Sequence, residues 1–225
     1  MKGGLIMSMS LFSLLGCVSH SDPRMNVSQK LEIPRYQVSN VEGNCELRTY
    51  SSHLVASVIV SGDFDTASRK GFRILADFIF GGNRSNTSIS MTAPVSAMPT
   101  TQIQAEQVQK QGEQIAMTAP VTTRPKGDRM WEITFSMPSK YSRNTLPIPN
   151  DERIKITTKK GEEVAVIVFS GLATQSNIDE HQHKLNTWLN NEGLLSDGPY
   201  VIARYNDPFT LPWNRRNELM VKVVQ

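Results

Sequence analysis

The chain reads as an α+β domain, an antiparallel sheet carrying two helices, and three observations lead there. The first is a repeated unit. Val58-Ile59-Val60-Ser61-Gly62 runs into an amphipathic stretch, and Val166-Ile167-Val168-Phe169-Ser170-Gly171 does so again. In each, a β-branched run reads as a buried strand, and Ser-Gly supplies the break before a helix. The second is the period-two alternation of apolar and polar residues through most of the remaining segments, which is the pattern of half-buried strands. The third is size and composition: 225 residues, 39% hydrophobic and 20% charged, suit one ordinary globular domain with a real core.

The elements follow in chain order. Met1-Lys2 is a short positive start, and Leu5 to Leu15 is an apolar run too short to span a bilayer but suited to a signal-peptide core. It ends Ser13-Leu14-Leu15-Gly16-Cys17, which resembles the bacterial lipobox, where a small residue precedes a cysteine that is diacylated and becomes the mature N-terminus. The resemblance implies a lipoprotein signal peptide over 1–16, lipidation at Cys17 and, from Val18, outer-membrane sorting. Several acyl chains anchor a protein stably where one does not. A buried N-terminal helix is the competing reading, and the segment offers it neither a cap nor a polar face. From His20 to about Gln37 the chain is polar, with Pro23 and Pro34 and no apolar period, so 17–40 reads as anchor and tether and 41–225 as the domain.

Strands are expected over Cys45–Tyr50 and His53–Val60. A helix follows from about Phe64 to Phe80, capped by Asp63 or Asp65 and ended by Gly81-Gly82. Its apolar face comprises Phe64, Ala67, Gly71, Phe72, Leu75, Phe78 and Ile79. Met91–Val95 and Met117–Val121 are expected strands, with Pro94 and Pro120 favouring edges or bulges. Between them a glutamine-rich run, Thr100 to Glu113, reads as a solvated hairpin tip. Further strands are expected over Trp131–Met137, Arg153–Thr158, Glu163–Phe169, Tyr200–Tyr205 and Glu218–Val224. The second helix starts near Asn177, with Glu180 as a capping-box partner, and stops near Gly193. Two duplicated halves make a pseudo-symmetric sheet, and their junction is a natural groove.

Several stretches together carry a more specific likeness. They are Tyr50, Gly62-Asp63-Phe64-Asp65-Thr66-Ala67, Gly81-Gly82-Asn83 and Ile89-Ser90-Met91-Thr92-Ala93-Pro94-Val95 with its repeat Ile115 to Val121. Phe135 to Tyr141, Phe169-Ser170-Gly171, Gly198-Pro199-Tyr200 through Pro208, and Arg215-Arg216-Asn217-Glu218 continue it. In this order, from about Gly43 to Val223, the chain resembles the SOUL heme-binding protein family. The resemblance implies a distorted β-barrel of two strand-helix-strand-strand repeats that binds heme or another tetrapyrrole reversibly.

Heme needs a flat apolar slot, cations for its propionates and, optionally, an axial ligand. The slot is expected along the first helix, lined by Phe72, Leu75 and Ile79 with Met91 and Met117 nearby; plain core packing explains the same stripe. Arg69 and Arg73, four apart on one helix side, are the candidate propionate partners. Arg69 falls where the family places such an arginine, whereas two other family positions carry Asp77 and Leu211 here. Of His20, His53, His181 and His183, the last two are two apart on a helix, diverge and cannot hold one metal well, and no metal site is expected; histidine ligation of heme is not expected either, with His53 and His181 the exceptions to test. Cys45 reads as a buried, inert thiol, because no basic residue flanks it.

The net charge of +3 comes without Lys/Arg blocks and gives no footprint for nucleic acid. Phosphate loops, His-Glu-x-x-His, Cys-x-x-Cys and Gly-x-Ser-x-Gly are all missing from the sequence, so catalysis is not expected. The leading reading is an envelope lipoprotein that holds a tetrapyrrole, anchored through Cys17 and facing the periplasm from the outer membrane. Its rivals are an interaction lipoprotein with a filled groove and no small-molecule ligand, and a heme-modifying enzyme with a perturbed titratable group beside the groove.

Overall fold

The computed structural model describes residues 31–86 and 112–224. Cys17, Met91 with the first Met-Thr-Ala-Pro-Val copy, and nearly all of the glutamine-rich run lie outside the described residues.

In chain order the elements are β1 (Tyr36–Glu42), β2 (Cys45–Tyr50), β3 (His53–Ser61), α1 (Phe64–Ile79), β4 (Asn83–Arg84), β5 (Val121–Gly127) and β6 (Met130–Ser136). They continue as β7 (Ile148–Pro149), β8 (Lys155–Lys159), β9 (Glu163–Phe169), α2 (Gln175–Asn191), β10 (Leu195–Arg204) and β11 (Asn217–Val224). All strands but the short pair β4 and β7 join one nine-stranded sheet in the order β1-β2-β9-β11-β10-β5-β6-β3-β8. Every neighbouring pair is antiparallel. The order is nearly a palindrome about the β10–β5 junction. β9, α2, β10 and β11 on one side mirror β3, α1, β5 and β6 on the other, with β2 and β8 as matching flanks. This is the expected pseudo-twofold α+β architecture. β1 and β8 sit at opposite ends of the order, so the sheet is open rather than closed into a barrel.

Side-chain alternation sorts the sheet into two faces. On β3, Ala56, Val58 and Val60 join Leu75, Phe78 and Ile79 of α1 in one core cluster, completed by Ile133 and Phe135 of β6. On β9, Ala165, Ile167 and Phe169 pack with Ile178, Leu185, Trp188 and Leu189 of α2. Both helices therefore cover the same face. Helix α1 begins where Asp63 accepts a 2.8 Å bond from the Thr66 amide. Helix α2 begins at Thr174, whose hydroxyl accepts from the Asn177 amide, so Thr174 rather than Asn177 is its cap. Glu180 pairs with Lys184 instead of closing a capping box.

Close approach of α1 to the sheet depends on Gly71. A Cβ there would stand 2.7 Å from the Cβ of Ile133 and nearer still to its Cγ1. Gly71→Ala gains helix propensity but forces the helix outward, and overpacking of this kind costs about 1–3 kcal/mol. The expected outcome is a net fall in the urea midpoint.

Two further expectations change. The polar composition extends the tether to residue 40, yet β1 pairs with β2 from Tyr36↔Tyr50 to Glu42↔Cys45, and Leu31 and Ile33 pack against a third cluster. An edge strand with only half-buried and exposed residues carries no apolar period, which is why it reads as a linker. Met117–Val121 is not a strand. The strand starts at Val121, and the preceding residues meet the chain's described start through a Glu32↔Thr118 bridge.

Candidate functional site: a groove on the helix-free face

The face turned away from the helices curls around a groove of about 460 Å³ at the junction of the halves. Each half contributes. Val55 and Ser57 of β3, Thr122 and Arg124 of β5, Glu132, Thr134 and Ser136 of β6, and Thr157 of β8 come from the first. Tyr50 of β2, Val164 of β9, Val201 of β10 and Met220 of β11 come from the second. These are the strand positions whose neighbours in sequence face α1 or α2. The floor is therefore a mixture of apolar side chains and a hydroxyl row, Ser57↔Thr134↔Thr122, lying in register across β3, β6 and β5.

The rim is charged but mostly self-neutralised. Lys159 pairs with Glu162 at 2.6 Å, Lys222 with Asp197 at 2.8 Å, and Glu132 with Lys126 at 3.3 Å. Arg124 lines the groove, is exposed, and forms no ion pair among the described residues. His53 also lines it. Its Nδ1 lies 2.9 Å from the Ser51 carbonyl, and burial pushes its pKa below the ordinary histidine value. The neutral ring donates from Nδ1 to that carbonyl, which leaves Nε2 as the acceptor nitrogen. His181 is on the other face, stacked on Phe169 at 4.4 Å with Nδ1 against the Asn177 carbonyl.

Beside the groove, reached through Tyr50, is a buried polar network. The Arg48 side chain is fully buried and forks onto Glu218, Nη1 to Oε2 at 3.0 Å and Nη2 to Oε1 at 3.1 Å. Arg48 Nε donates to Glu46 at 2.8 Å, Nη1 donates to the Tyr50 hydroxyl at 3.1 Å, and the Tyr36 ring lies 4.4 Å from the guanidinium carbon. Glu218 further accepts from the Tyr205 hydroxyl at 2.7 Å and from Arg216 Nη2 at 2.6 Å. Burial opposes ionisation of Glu218, but the two guanidiniums outweigh it and hold its carboxyl below the usual range. The Tyr205 hydroxyl is pushed well above the ordinary tyrosine value, chiefly by burial and then by Glu218. Two cations and two carboxylates balance, so the network is a clamp between β2 and β11 rather than an exposed charge. Cys45 is buried on the opposite face, and burial raises its thiol to about 11, which keeps it protonated.

The residues expected to line a slot along the first helix do not line this groove. Leu75 and Ile79 are 0% and 1% exposed and form the α1–sheet core, so they cover the sheet rather than line a slot. An amphipathic helix on a sheet must bury this stripe. Met117 packs at the edge of the same cluster. Phe72 is partly exposed, with its ring 5.4 Å from that of Phe135. Arg69 and Arg73 are exposed on the outer side of α1. Met91 lies outside the described residues. Sequence pattern alone does not single out Ser57, Thr122, Arg124 and Thr134, because polar positions alternating with core positions look solvent-facing until the sheet's curl encloses them.

Comparison with known proteins agrees with this architecture. The SOUL heme-binding protein family model matches residues 31–111 and 103–222. Heme-binding protein 1 of Xenopus laevis is 25% identical over 175 residues, 77% of this chain and 80% of that protein. Heme-binding protein 2 of Homo sapiens is 27% identical over 179 residues, 79% of this chain and 77% of that one. Among solved structures, the C-terminal domain of EcmrR superposes with a TM-score of 0.54 at 12% identity, covering 84% of this chain and 98% of that one. A hydrolase from Listeria innocua does so at 0.51 and 14% identity, covering 80% and 92%; these two likenesses concern the fold alone. With the family model spanning nearly all of the described residues, the chain belongs to the SOUL heme-binding protein family.

Proposed function

We propose that this chain binds heme or a related tetrapyrrole in the groove between its halves, as an envelope lipoprotein lipidated at Cys17. It holds the ligand without transforming it. Family membership supports the ligand. The carrying observation for the place is that an open volume of about 460 Å³ lies at the junction of the repeats, whereas the apolar stripe of α1 is closed core. That volume falls within the range of small-molecule sites. Val55, Val164, Val201 and Met220 present apolar surface to a macrocycle, and Arg124 presents a guanidinium to a propionate. His53 is the imidazole that lines the groove among the described residues, and its free Nε2 offers iron an axial nitrogen. The lipobox-like Leu14-Leu15-Gly16-Cys17 supports the anchor and the periplasm-facing location in the outer membrane.

A hemin titration followed at the Soret band tests the reading. A saturable one-to-one shift is expected, weakened several-fold by Arg124→Ala and little changed by Arg69→Ala. A shift no greater than that of an unrelated protein overturns heme binding. A saturable shift weakened by Arg69→Ala alone moves the site to the outer side of α1, with Phe72 and Arg73.

A further inference from the structure

We infer that the loop joining β10 to β11 is a membrane-inserting tip, which docks the domain on a lipid bilayer at the rim where the described chain starts. This inference rests on the lipoprotein reading of Cys17.

The loop displays large apolar side chains to solvent: Phe209 is 93%, Trp213 69% and Leu211 51% exposed, and Leu172 beside them is 48% exposed. Exposed Leu residues scattered singly are ordinary; three large apolar side chains on one short loop, with a fourth beside them, are not. The loop's backbone is prepared for a medium without water. Pro208 and Pro212 carry no N–H. The Asp207 carboxylate accepts from the amides of Phe209 and Thr210, and Arg215 donates to the carbonyls of Thr210 and Pro208 at 2.8 and 2.7 Å. The Pro212 carbonyl accepts from the amides of Gly171 and Arg215, and the Leu211 carbonyl from Asn214. Unsatisfied backbone groups are what bar irregular chain from hydrocarbon, and here most are satisfied internally. Trp213 favours the interface between headgroup and acyl chain, and Phe209 and Leu211 are side chains that bury into the acyl boundary.

The second, independent observation is where the described chain starts. Leu31 packs in the same cluster as Ala119 and Tyr205, and the Glu32 carbonyl accepts from the Ala119 amide at 2.9 Å. Tyr205 opens the β10–β11 loop, and Val121 pairs with Arg204. The described chain therefore starts at the rim that carries the apolar tip. Cys17 precedes Leu31 by about 14 residues, a reach of at most roughly 50 Å, so an acylated Cys17 keeps this rim within that distance of the bilayer. A tip that partitions weakly alone is then given a high effective concentration.

The test uses the full-length chain on phosphatidylethanolamine–phosphatidylglycerol vesicles with brominated acyl chains, which quench tryptophans inside the bilayer. Trp188 is buried and Trp131 lies on the sheet, so Trp213 is the reporter. Emission is expected to fall on brominated relative to plain vesicles, and that quenching to vanish in Trp213→Phe. In the Cys17→Ser chain, vesicle partition is expected to be weak and to drop about tenfold further with Phe209→Ser/Leu211→Ser, at unchanged melting temperature. Acylated protein bound to vesicles with Trp213 unquenched overturns the inserting tip while leaving the lipoprotein reading intact, and a protein becomes the occupant. Absence of a diacylglyceryl mass on Cys17 in cells overturns the lipoprotein reading and with it the docking geometry; quenching of Trp213 on added vesicles then decides separately whether the tip inserts.

Discussion

Arg48→Met is expected to lower the stability of the fold by about 3–5 kcal/mol, the cost of leaving a buried charge without its partner. Glu218 sits at 0% exposure, and Arg48 supplies two of its hydrogen bonds; Arg216 and Tyr205 cannot replace the fork. Glu46 loses a 2.8 Å bond in the same step. In a domain of this size the loss corresponds to a melting temperature lower by roughly 6–20 °C. The double variant Arg48→Met/Glu218→Leu is expected to recover much of the deficit, because neither fully buried position then carries an unpaired charge and the less buried Arg216 and Glu46 remain as one cation and one carboxylate. Urea unfolding of the two variants checks this. Equal destabilisation by single and double variants would show that the shape of the network, rather than its charge pairing, holds β2 to β11.

Thr134→Trp is expected to abolish high-affinity hemin binding, raising Kd by at least about a hundredfold, or roughly 2.7 kcal/mol. Thr134 lies in the middle of the groove floor, in register with Ser57 on β3 and Thr122 on β5. It faces away from α1, so an indole there fills open volume instead of invading the core, and stability is expected to change little. Phe72→Ala on the helix side is the matched control and is expected to leave hemin affinity within a few-fold. Isothermal titration or Soret titration on both variants reads the contrast.

Much of the scaffold is legible in the sequence, and the failures have physical causes. β2 and β9 match their expected bounds, and α1 ends within a residue of expectation, because Asp63 and Gly81-Gly82 punctuate a strong apolar stripe. β1 leaves no signal because an edge strand buries too little to need a pattern. β5 is hidden by Pro125, which a central strand should not contain. The structure resolves this: β10 pairs with β5 only from Val121 to Thr123, so Pro125 sits where no amide is required on that side. The groove is the least legible part. Its existence at the junction of two halves follows from the duplication, but its lining does not. Helical periodicity marks Leu75 and Ile79 as special, and they are special as core. Ser57, Thr122 and Thr134 become a groove floor only through sheet curvature, a property of strand order and coiling that no single segment encodes.

The most direct measurement of where the ligand sits is the pattern of amide line broadening when paramagnetic hemin is added to the isotopically labelled domain, with a diamagnetic porphyrin as reference. Binding in the groove predicts broadening on Val55, Ser57, Thr122, Thr134 and Val201, with the outer turn of α1 at Arg69 and Arg73 left sharp. Broadening centred on Arg69, Phe72 and Arg73, with the β3, β5 and β6 floor unaffected, would contradict groove binding and place the ligand on the helix.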